Sequence, residues 1–90
     1  MMTEATRTGS HNSLRVVRGA YTRQWALAIC VGPEVTGEAT QWWYYRARFV
    51  SRREAQAAKY SFLDRYAGKG SLSISRMVIR SPHWDRRMVV

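Results

Sequence analysis

Between Gln41 and Phe49 the chain reads QWWYYRARF. An extended backbone turns successive side chains to opposite faces. Trp43, Tyr45, Ala47 and Phe49 then share a core face, while Trp42, Tyr44, Arg46 and Arg48 share the other. Two aromatic rings interleaved with two guanidinium groups suit a polyanion carrying flat bases. Stacking on an aromatic side chain contributes about 1–3 kcal/mol per base, and arginine offers a planar fork to phosphate. The same residue types anchor protein interfaces. A third use of Trp42 and Tyr44 is plain packing beneath the N-terminal segment or the 32–40 loop. Other candidates for chemistry are sparse. Gly68-Lys69-Gly70-Ser71 lacks the full phosphate-loop spacing and follows a helix instead of opening one, so a helix stop is favoured over an anion nest including Lys69. His83 and Asp85 bracket Trp84 as a surface pair, and His11 has no partner in its neighbourhood. This set points to a protein that is not an enzyme and needs no cofactor or metal.

The elements that position the candidate surface are a strand and the helix it feeds. Ser51-x-x-Glu54 has the spacing of a capping box, which starts the helix at Arg52. Ala55, Ala58, Phe62 and Tyr66 form its apolar stripe with Leu63 at the border, and Arg53, Tyr60 and Asp64 lie opposite. Gly68 provides a left-handed stop. Arg52 and Arg53 occupy the first turn, where the helix dipole disfavours positive charge by a few tenths of a kcal/mol. They read either as solvated surface groups or as contacts to a phosphate backbone or an acidic protein.

Ninety residues allow one domain, and 46% apolar content with four tryptophans supports a folded core. The single cysteine, Cys30, forms no internal disulfide and reads as a small core residue. No apolar run reaches the roughly 18–20 residues of a membrane span, and the polar start lacks a signal-peptide core, so a cytoplasmic location is expected. Net charge is +9, unevenly distributed: residues 1–45 carry four Lys/Arg and three acids, residues 46–90 eleven and three. A basic half of this kind suits DNA, RNA or an acidic protein surface.

Residues 1–13 read as a flexible tail ahead of a single domain over 14–90. LRVV opens a strand, with Gly19 as a bulge or turn, and WALAICV (25–31) is the clearest buried strand. GPEVTGEAT (32–40) reads as a mobile hairpin loop. SLSISRMVIR (71–80) is expected to be a further strand with imperfect alternation, and HWDRRMVV (83–90) a short edge or a segment that packs Trp84 on the sheet. The expected fold class is α+β: an antiparallel sheet of three to five strands with one main helix, about 52–67, packed on one face.

Trp43-x-Tyr45-Arg46 followed by Phe49-Val50-Ser51-Arg52-Arg53-Glu54-Ala55 resembles the arm-binding, AP2-like N-terminal domains of phage-type tyrosine integrases. The resemblance covers residues 41–67. It implies a three-stranded sheet set in a DNA major groove, braced by the helix, with Trp42, Tyr44, Arg46 and Arg48 facing the groove. Arg52, Arg53 and Ala55 also resemble the helix start of double-stranded-RNA-binding domains, although Gln56 stands where a third basic residue is expected. By size and chemistry the chain is similar to small phage or mobile-element proteins, including anti-CRISPR inhibitors, which implies instead an acidic surface of a larger assembly such as a CRISPR effector complex. The candidate nucleic-acid or partner-binding set is Trp42, Tyr44, Arg46, Arg48, Arg52, Arg53 and Lys69.

Overall fold

Among the described residues four strands run as an antiparallel meander in the order β1-β2-β3-β4: β1 (Arg15–Arg18), β2 (Trp25–Val31), β3 (Gln41–Tyr45) and β4 (Trp84–Asp85). The structure, a computed structural model, describes residues 14–87. The tail expected over 1–13, with His11, lies outside the described residues. The β1–β2 hairpin closes through the Gly19 amide donating to the Gln24 carbonyl at 2.8 Å, with Arg23 in the left-handed region at φ 61°. The connection from β2 to β3 is ordered around one helical turn, α1 (Pro33–Thr36). Pro33 opens that turn, where a missing N–H costs nothing, and Gly37 closes it at φ 75°.

Two longer helices complete the α+β fold: α2 (Arg52–Tyr66) and α3 (Ser71–Arg80). Helix α2 starts where the capping box places it. Ser51 Oγ accepts from the Glu54 amide at 3.1 Å, and Ala55, Phe62 and Tyr66 are buried along the expected stripe. Gly68 stops the helix at φ 81°. Removing the cap in Ser51→Ala should lower unfolding free energy by about 1 kcal/mol in a urea titration. A change below a few tenths would mean that tertiary packing alone fixes the helix start.

The strand expected over 71–80 is instead helix α3. Ile74, Ser75 and Val78 are buried together on one side of it, a spacing of three and four that a helix satisfies and a strand does not. Ile79 packs at the border of the core, while Leu72 and Met77 remain exposed. The apparent defects of alternation were helical periodicity.

The core lies on one side of the sheet. Leu27, Ile29 and Val31 of β2 pack with Leu14, Phe62, Tyr66, Ile74, Val78 and Trp84. Each such burial is worth roughly 1.5–3 kcal/mol relative to exposure. Val35 of α1 joins the same cluster, so the three helices of the described residues share this face. Trp84 meets Tyr45 and Phe62 edge-on at centroid distances of 5.2 and 5.6 Å. Burial there pushes the neighbouring Tyr66 hydroxyl pKa up, so this phenol stays protonated.

Candidate nucleic-acid interface

Strand register decides which side chains reach the second face. Ala28 pairs with Arg15 on one side and Tyr44 on the other, Cys30 pairs with Trp42, and Tyr44 pairs with Asp85. Directly paired residues point to the same side of a sheet. Arg15, Val17, Ala26, Ala28, Cys30, Trp42, Tyr44 and Asp85 therefore share the face turned away from the helices. Its floor is small. Ala26 and Ala28 are each only 1% exposed, whereas Trp42 is 36% exposed and Tyr44 half-buried. Among the described residues no helix packs here. The Arg15 guanidinium lies 5.2 Å from the Trp42 ring centroid, a cation–π contact that sets positive charge on the aromatic platform. Arg15 was absent from the residues singled out by sequence, because only the β1–β2–β3 register brings it to Trp42.

The alternation read through Phe49 breaks after Tyr45. In continuous register Trp25 would oppose Ala47, but it pairs with Phe49, exchanging two backbone hydrogen bonds of 2.8 Å. Two additional residues are thus extruded between β3 and the bridge. Because the insertion is even, Phe49 still packs on the core, while Ala47 is exposed instead of buried. Arg48 is exposed in the extruded segment. Arg46 stays beside β4: its amide donates to the His83 carbonyl at 2.7 Å, and its guanidinium pairs with Asp85 at 3.1 Å. The Arg87 amide, with Arg46 and Arg86 nearby, holds the Asp85 carboxyl below the usual carboxylate range. That pairing is complete above the ordinary carboxylate pKa and is lost only as pH falls through the depressed value.

Arginine collects at one end of the sheet. Arg18 closes β1 opposite Trp25, Arg23 sits in the turn, Arg48 follows β3, and Arg52 and Arg53 open α2. The acids Glu34 and Glu38 lie at the opposite end, in α1 and the loop after it. Arg18 and Arg52 both stand over the half-buried Trp25 ring, at 5.5 and 6.0 Å from its centroid. Trp25 shares the side of β2 that carries Leu27, Ile29 and Val31, but at the sheet end, where its ring mounts two guanidinium groups.

The seven candidate residues therefore fall into separate places. Trp42 and Tyr44 occupy the second face, Arg46 its β4 border, and Arg48, Arg52 and Arg53 the basic end. Lys69 is remote, beyond a 15-residue helix that spans about 22 Å. Its amide donates to the Tyr66 carbonyl at 3.0 Å, part of the helix stop. An open groove of about 540 Å³ runs along β4 between Trp43, Trp84 and Arg86. Among the described residues no three His, Cys, Asp or Glu side chains converge as a metal site, and no helix is long and apolar enough to cross a membrane. The chain matches no family model, no curated protein and no solved structure.

Proposed function

We propose that this protein is a small non-enzymatic module that binds nucleic acid, with bases against Trp42 and Tyr44 and phosphates against the surrounding arginines. One observation carries the reading: Trp42 stands at the surface of a sheet face on which, among the described residues, no helix packs, with the Arg15 guanidinium over its ring. A stacking platform and a positive charge are thereby supplied at one place. The +9 net charge and the arginines at the sheet end support it. The resemblance of residues 41–67 to integrase arm-binding domains also implies a nucleic-acid partner, although those domains read a duplex groove and would need Arg46 and Arg48 on the same face as Trp42 and Tyr44.

The test is fluorescence anisotropy with labelled single- and double-stranded DNA and RNA at about 50 and 200 mM salt. Binding that weakens steeply as salt rises is the expected result, because each neutralised phosphate releases counterions. Absence of binding to all four polymers at the lower salt would overturn the reading. The same rings and arginines would then be sought as anchors for an acidic surface of a larger protein complex, by pull-down.

A further inference from the structure

The aromatic platform and the arginine pair on Trp25 are not on one plane. Trp42 and Tyr44 face away from the helices, whereas Arg18 and Trp25 pair on the side that continues into the core face, and Arg52 belongs to a helix packed there. We infer that the ligand is a single strand bent around the end of the sheet, its bases on Trp42 and Tyr44 and its phosphates on a clamp formed by Arg18 and Arg52 over Trp25. The inference rests on the nucleic-acid reading and names its polymer form.

Three observations carry it. The first is mounting. Trp25 is fixed on both sides, by register with Arg18 in β1 and by two 2.8 Å hydrogen bonds to Phe49, three residues before Arg52. Both guanidinium groups are thus held by rigid elements before any ligand arrives, which reduces the entropy lost on binding. The second is charge. Among the described residues neither Arg18 nor Arg52 has a carboxylate partner, in contrast to Arg46 on Asp85. Stacked guanidinium groups keep their N–H edges available for phosphate oxygens. The third is shape. From Tyr44, opposite Ala28, to the Trp25 row is three residues, about 10 Å along the sheet, and the path then crosses its end. A single strand flexes over that distance. Duplex DNA has a persistence length of about 50 nm and cannot follow a turn around a domain measuring 35 × 29 × 19 Å. Its stacked bases are also closed to Trp42 and Tyr44.

The experiment compares a ten-nucleotide oligothymidylate, the matching oligouridylate and a ten-base-pair duplex, each titrated against wild type and Arg18→Gln/Arg52→Gln across a salt series. Wild type should bind either single strand at least tenfold more tightly than the duplex. The double variant should lose about tenfold in single-strand affinity, and its log–log salt slope should shrink by about 1.4, the share of two phosphates at 0.7 each. Circular dichroism melts establish that the variant folds. Should it not, Arg18→Lys/Arg52→Lys keeps the charge without the planar stack, and a severalfold loss of affinity is then expected. Single-strand binding with affinity and slope unaltered in the variant would remove the clamp and leave the nucleic-acid reading standing. Duplex binding equal to single-strand binding would overturn the bent path. No binding of any nucleic acid would overturn both.

Discussion

Trp42→Ala combined with Tyr44→Ala should reduce affinity for single-stranded nucleic acid about 30-fold or more while leaving the fold in place. Loss of one stacked base costs about 1–3 kcal/mol, so two lost stacks reach at least the lower bound of 2 kcal/mol. Truncation should be tolerated because neither ring belongs to the core cluster. Their cross-strand neighbours, Cys30 and Ala28, are small, and such pairs contribute roughly 0.2–1 kcal/mol each. The salt slope should remain that of wild type, since no phosphate contact is removed. Anisotropy titration checks the affinity, and urea unfolding checks the stability. Unchanged affinity in a folded variant would contradict the platform.

The largest effect on stability is expected at Trp84. It is 5% exposed and meets Tyr45 and Phe62 edge-on. It also forms half of β4, pairing with Tyr45. Trp84→Ala removes the largest side chain from an aromatic cluster held by only two strand residues, and such truncations cost about 3–5 kcal/mol. For a domain of this size that is a large part of a total near 5–15 kcal/mol. Loss of β4 would also release Asp85 from its place beside Arg46. The urea midpoint should fall sharply or the variant should be unfolded at 25 °C; a loss below 1 kcal/mol would show that β4 is peripheral to the core.

What could be read from the sequence was local. The Ser51–Glu54 cap, the apolar stripe of α2, the Gly68 stop and the buried run of β2 each depend on residues a few positions apart. The segment 71–80 reads as a strand because Ile74, Val78 and Ile79 are β-branched and the interposed serines resemble a strand's polar face. Burial of Ile74, Ser75 and Val78 together shows that helical spacing prevailed over propensity. The loop at 32–40 carried its own signals, Pro33 and Gly37, for the helical turn found there.

The candidate site divides along the same line. Trp42 and Tyr44 follow from alternation within five residues. The extruded segment before Phe49 does not, because it depends on Trp25 pairing across 24 positions. Arg15 and Arg18 join the surface only through β1–β2 register, and Lys69 leaves it because α2 carries it away. Composition indicated that the chain was basic, and topology determined where the basic groups met.

The most direct measurement is a ¹H–¹⁵N spectrum of the full chain titrated with the ten-nucleotide oligothymidylate at about 50 mM salt. The account predicts shifts of the Trp42 and Trp25 indole N–H signals and of the amides of Arg15, Arg18, Tyr44 and Arg52, with Arg76 and Arg80 of α3 unmoved. Shifts confined to α3 and Lys69, or no shifts at saturating oligonucleotide, would contradict it.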